Sequence, residues 1–120
     1  MSYQKGSDTY RQNQILTASP KKMIDLLYEG AIKQLKLAEL ALDKKEFEQV
    51  NTHLIKAEDI ILELKLSVNP AVEGEVPNQL IELYDFMFSR LVTANIEKNL
   101  ELIQLVRGMI EELRETWAQL

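Results

Sequence analysis

The stretch FEQVNTHLIKAEDIILELKL, residues 47–66, decides the fold class of this 120-residue chain. It contains neither proline nor glycine, and its apolar residues recur at intervals of three and four, the spacing of one face of an α-helix. The pattern predicts an amphipathic helix of about 20 residues with one side buried. The predicted buried face consists of Phe47, Val50, Leu54, Ala57, Ile61 and Leu64.

Helix-start signals precede three more stretches with similar spacing. Ser19 is expected to cap a helix that has Pro20 as its first helical residue and runs to about Asp43. Pro77 opens the next helix, and Asn99 caps the last one. The predicted apolar stripes are Met23, Leu27, Ala31, Leu35, Ala38 and Leu42; Leu80, Leu83, Tyr84, Met87, Leu91 and Ala94; and Leu102, Val106, Met109, Ile110, Leu113 and Trp117.

Short connections between these helices predict how they are arranged. The longest connection, residues 67–76, contains Pro70 and Gly74 and is predicted to be a loop. Four helices of about 20 residues joined in this way predict an all-α fold, an antiparallel up-down four-helix bundle. We assign residues 19–120 to the bundle. Residues 1–18 are polar and lack periodicity, so we predict a flexible N-terminal arm whose anchors are Tyr10, Ile15 and Leu16.

The composition narrows the class of function. Hydrophobic residues make up 46% and charged residues 28% of the chain, as is typical of a globular protein. A net charge of −5 argues against nucleic-acid binding, because neutralising phosphates requires a basic face. The lack of cysteine fits a reducing compartment, and no apolar run has the length of a membrane span. We therefore expect a cytoplasmic protein without membrane insertion.

A second row of apolar residues distinguishes several of the helices from ordinary bundle helices. Ile55, Leu62 and Leu66 lie together about 130° around the helix from the stripe centred on Leu54. Other off-stripe residues are Ile81, Phe88 and Val92 in the third helix and Tyr28 and Ile32 in the first. Such rows fit either a wide buried face or a groove for a helix of another protein. Their recurrence favours the groove.

The sequence offers no constellation of catalytic residues. The only histidine, His53, has Val50 three residues before it, whereas a di-metal carboxylate site in a helical bundle requires Glu-x-x-His motifs. The four glycines are too scattered for a phosphate-binding loop. We therefore expect a protein that is not an enzyme and that uses no metal and no cofactor.

Four sequence blocks in register resemble the flagellin-specific export chaperones, the FliS family. The first is YRQNQILTASP, residues 10–20, which leads into LLYEGA, residues 26–31. The remaining blocks are residues 54–64, residues 83–87 followed by Arg90, Leu91, Ala94 and Asn95, and residues 113–117. The resemblance covers about residues 10–117, nearly the whole chain.

The resemblance implies a cytoplasmic chaperone that binds the C-terminal segment of flagellin. Such a chaperone prevents premature polymerisation and delivers its client to the flagellar type III export gate. The resemblance also implies that the N-terminal arm can occupy part of the client surface. On this basis the expected client groove consists of Tyr28, Ile55, Leu62, Leu66 and Ile81, with Asn51 and Lys56 as polar contacts and with Tyr10 and Ile15 as arm anchors that also contact the export apparatus.

Two other functions remain as alternatives at this point. The second apolar face could pair with another copy of the chain, which would give a self-associating structural bundle or a weak homodimer. A metal-dependent bundle enzyme is the other alternative, and it would require metal bound in stoichiometric amounts.

Overall fold

The computed structural model describes residues 20–119, and within them the chain forms four long α-helices. They are α1 (Lys21–Asp43), α2 (Phe47–Ser67), α3 (Val76–Glu97) and α4 (Leu100–Ala118). Helix α1 packs against α2 and α4, and α3 packs against the same two helices, so each helix has two main neighbours in a ring. This arrangement confirms the predicted all-α bundle. The predicted boundary between arm and bundle lies outside the described residues.

The helix ends follow the sequence signals closely. The side chain of Asn99 accepts a hydrogen bond from the backbone N–H of Leu102 at 3.2 Å, which confirms the predicted cap of α4. Pro20 is the residue before α1 rather than its first helical residue, because its ψ of 146° is extended. Pro77 is the second residue of α3. Lys98 ends α3 in the left-handed conformation, with φ of 53°.

The core confirms most of the predicted stripe residues and corrects the stripes of α1, α2 and α4. Met23 and Phe47 were expected in the core, but their side chains are 52% and 49% exposed. The buried face of α1 is instead rotated by about one residue and includes Ile24, Tyr28 and Ile32. The expectation that Tyr28 and Ile32 lie off the buried face is therefore wrong. Ile103 of α4 is also fully buried, although the predicted stripe left it out.

None of the four described helices combines the length and the apolar character that crossing a membrane would take.

Candidate partner-binding surface

Two polar contacts at the surface join α2 to α3. The ammonium of Lys65, near the end of α2, lies 2.7 Å from Oδ1 of Asp85, in the first half of α3. At the other end of the pair, the ammonium of Lys98 donates to Oδ1 of Asn51 at 2.9 Å. The two helices therefore run antiparallel, and these contacts mark the side on which they face each other.

The second apolar row of α2 lies along the outer edge of this contact. Ile55 is one turn beyond Asn51, and Leu62 is one turn before Lys65, so both residues lie on the side of α2 that faces α3. The side chains of Ile55, Leu62 and Leu66 are 51%, 39% and 79% exposed. All three large apolar side chains are thus substantially exposed to solvent, Leu66 most of all.

Helix α3 contributes a matching row. Ile81, Phe88 and Val92 lie four residues before, three residues after and seven residues after Asp85, which places all three on the face that carries the ion pair with Lys65. Ile81 and Phe88 are half-buried, and Val92 is 36% exposed. We call the combined surface the apolar seam; it consists of Ile55, Leu62, Leu66, Ile81, Phe88 and Val92.

The other sequence-predicted contact residues have different positions. Asn51 lies at one end of the seam, where its side chain already accepts the hydrogen bond from Lys98. Lys56 is exposed but lies about 100° around α2 from Ile55, on the outer face beside the seam. Tyr10 and Ile15 lie outside the described residues. The structure therefore brings together four of the predicted residues, Ile55, Leu62, Leu66 and Ile81, and their role in binding stays a prediction.

Tyr28 belongs to a different place in the bundle. Its side chain is 3% exposed, and its hydroxyl forms a 2.6 Å hydrogen bond with the hydroxyl of Tyr84. Both rings line a largely apolar cavity of about 190 Å³ at the end of the bundle where α1 and α3 begin. Tyr28 therefore lies apart from the apolar seam, with its ring turned inward to Tyr84, and its predicted contact with a client stays a prediction.

Glu58 is a buried polar residue beside the seam that the sequence did not predict. It lies three residues after Ile55 and four before Leu62, yet its side chain is only 9% exposed. Its Oε2 atom is buried and has no hydrogen-bond partner among the described residues. Burial raises the pKa of the Glu58 carboxyl, and the neighbouring charge of Asp59 raises it further. The signal in the sequence was the seven-residue spacing of Asn51, Glu58 and Lys65, a polar row just inside the apolar one.

The remaining ion pairs mostly join α1 to α4. Arg114 donates to both carboxylate oxygens of Asp25, at 3.0 and 3.3 Å, and Arg107 donates to Glu39 on α1 and Glu111 on α4. These carboxylates raise the pKa of both guanidinium groups, so the arginines stay charged. His53 forms a 2.8 Å hydrogen bond with Gln34 of α1, as a residue at the boundary of the core would. Within residues 20–119, no three His, Cys, Asp or Glu side chains are grouped as metal ligands.

The described residues thus form an all-α bundle with a half-exposed apolar seam along two neighbouring helices. A family model described as "Flagellar protein FliS" matches residues 3–120 of the chain. The chain is 34% identical over 119 residues to the flagellar secretion chaperone FliS of Bacillus subtilis, covering 99% of this chain and 88% of that one. It is 33% identical over 110 residues to the FliS of Salmonella typhimurium, covering 91% and 82%. The chain belongs to the FliS family.

The family assignment bears directly on the sequence-based predictions. The resemblance to export chaperones is confirmed, since the relatives carry that name in several bacteria, including Vibrio cholerae at 30% identity over 108 residues, which covers 90% of this chain and 79% of that one. The prediction that the protein is not an enzyme is confirmed as well, because the family is one of chaperones.

Proposed function

We propose that this flagellar export chaperone binds the C-terminal segment of flagellin as a helix along the apolar seam. The observation that carries the proposal is the row Ile55, Leu62 and Leu66, three large aliphatic side chains that the bundle leaves between 39% and 79% exposed. A single exposed leucine needs no explanation, whereas a continuous row at helical spacing is the usual site of helix-in-groove recognition.

The length of the seam matches a short helical segment. The 12 residues from Ile55 to Leu66 are separated by 11 steps of about 1.5 Å, so the row spans about 16 Å, or three helical turns. A segment that folds as it binds must offset an ordering cost of about 2–5 kcal/mol, so it needs apolar area of this kind. Because the contacts are spread over six modest side chains, the client can be released later for export.

Binding along the seam would serve the export pathway in two ways. A flagellin whose C-terminal segment is held on the chaperone cannot use that segment to polymerise in the cytoplasm. The complex is also the form in which the client reaches the type III export gate, and we assign contact with that apparatus to Tyr10 and Ile15 of the N-terminal arm. The same arm would cover part of the client surface before flagellin binds.

The proposal is tested by titrating a flagellin C-terminal peptide against the full-length protein by calorimetry. The double variant Ile55→Asp, Leu62→Asp places two charges on the seam, and we expect at least about a hundredfold weaker binding, because burying unpaired charge is costly. The matched control is Leu40→Asp, Leu105→Asp, which changes two exposed leucines of α1 and α4 and should bind as the wild type does.

Helical content by circular dichroism and the unfolding midpoint accompany each titration. If the double seam variant stays folded and binds like the wild type, the client lies elsewhere. If the wild type forms an obligate dimer in light scattering and ignores the peptide, a second copy of the chain occupies the seam and the chaperone function assigned to it is wrong.

A further inference from the structure

A row of three polar residues on α2 lies just inside the apolar seam. The two end residues have polar partners, whereas the middle one has a buried oxygen without a hydrogen-bond donor among the described residues. Asn51, Glu58 and Lys65 follow one another at intervals of seven residues, so they lie about 10 Å apart along the side of α2 that faces α3. The side chain of Asn51 accepts a hydrogen bond from the ammonium of Lys98, and the ammonium of Lys65 forms an ion pair with Asp85. Within residues 20–119 no group donates to Oε2 of Glu58, and this atom is shut off from solvent.

A buried carboxylate without a donor is unfavourable in the free protein. Leaving a charged acceptor unpaired costs more than leaving a neutral one, and pairing it with a donor recovers that cost. At both neighbouring positions of the row, a lysine ammonium supplies the donor for an oxygen acceptor. In the described part of the chain, no such cation reaches Oε2 of Glu58 at the middle position.

The depth of Glu58 limits what can reach it. Its side chain is 9% exposed and lies inside Ile55 and Leu62, so a helix resting on those two residues would pass over the carboxylate without touching it. A short serine or asparagine on that helix would stop at the level of the apolar row. Lysine and arginine have long apolar stems that can lie between the two aliphatic side chains while the charged end reaches inward.

We infer that Glu58 is a specificity-determining residue of the seam and accepts a hydrogen bond from a lysine or arginine that the bound helix inserts between Ile55 and Leu62. The inference rests on the proposed function, since it assumes a helical client on the apolar seam. If so, the chaperone prefers clients that carry a lysine or arginine at the position of the bound segment that faces Glu58.

The test uses the same flagellin C-terminal peptide and the full-length protein. Glu58→Gln keeps the shape of the side chain and removes its charge, and we expect about tenfold weaker binding, because a hydrogen bond between charged groups contributes about that much. Glu63→Gln is the matched control on the exposed outer face of α2 and should bind within about twofold of the wild type.

A second set of titrations identifies the donor. Each lysine and arginine of the peptide is replaced in turn by glutamine, and every peptide is titrated against the wild type and Glu58→Gln. We expect one replacement to weaken binding to the wild type about tenfold and to have little further effect on Glu58→Gln, as a double-mutant cycle for a direct contact requires.

The outcomes separate this inference from the proposed function. If Ile55→Asp, Leu62→Asp abolishes binding while Glu58→Gln binds as tightly as the wild type, the seam is the client site but Glu58 does not contribute to client specificity. If no basic residue of the peptide couples to Glu58, the inference is likewise overturned. If the seam variant binds normally, the proposed function and this inference fail together.

Discussion

The hydroxyls of Tyr28 and Tyr84 form a 2.6 Å hydrogen bond that joins α1 to α3 across the end of the bundle. Both rings are 3% exposed, and burial raises the pKa of both hydroxyls, so the pair stays neutral at physiological pH. Helices α1 and α3 lie diagonally in the ring of four, so this hydrogen bond is a direct link between helices that are not main neighbours.

We expect Tyr28→Phe and Tyr84→Phe each to lower the free energy of unfolding by about 1–2 kcal/mol, because each leaves one buried hydroxyl without its partner. The double variant should cost less than the sum of the two, since it removes both polar groups together. Urea unfolding of the four proteins measures the difference. Strictly additive losses would show that the hydrogen bond contributes nothing of its own.

Glu58→Gln should stabilise the free protein at neutral pH. The folded state raises the pKa of the Glu58 carboxyl above its ordinary value of 4.5 and therefore favours the protonated form. Below pH 4.5 the carboxyl is protonated in both states and carries no penalty, whereas ionisation destabilises the fold as the pH rises through the raised pKa. The variant lacks this loss, so its advantage should appear only above pH 4.5.

The measurement is a series of urea unfolding curves between pH 4 and pH 8 for the wild type, Glu58→Gln and the exposed control Glu63→Gln. The control should follow the wild type throughout. A gain in stability for Glu58→Gln that is equally large at the acid end would rule out ionisation as its cause.

Gly108→Ala should stabilise the protein by about 0.5–1 kcal/mol, the difference in helix propensity between the two residues. Gly108 lies within α4, and a methyl group added there would meet no other atom within 4 Å. Gly74→Ala is the opposite case, because its φ of 103° is strained for any residue with a side chain. Thermal unfolding should show a higher midpoint for the first variant and a lower one for the second.

Periodicity predicted the fold well because most of the stripe residues in α2, α3 and α4 recur at helical spacing and are buried, with Phe47 and Ile103 as the exceptions. It failed at the start of α1, where Met23, Ile24 and Leu27 are all apolar and offer two stripes one residue apart. Only the packed structure chooses between them, and it buries Ile24 and leaves Met23 exposed. The misplacement of Tyr28 has the same origin.

The candidate surface was predicted in part for similar reasons. The row Ile55, Leu62 and Leu66 follows from helical geometry alone, so the sequence could locate it. The position of that row beside α3 depends on how the two helices pack, which the sequence of a single helix cannot show. Glu58 was missed because a glutamate in an amphipathic helix normally faces solvent, and its burial depends on the neighbouring helix.

Lys98 takes part both in the turn between α3 and α4 and in a contact between α2 and α3. Its backbone makes the left-handed turn between α3 and α4, a conformation that suits glycine better than lysine. Its ammonium holds Asn51 and Asn95 together, and so fixes one end of the α2–α3 contact on which the seam depends. A glycine at position 98 would suit the left-handed backbone better, and it would also remove the hydrogen bond to Asn51. A substitution at position 98 therefore acts on the α3–α4 turn and on a contact between α2 and α3 together.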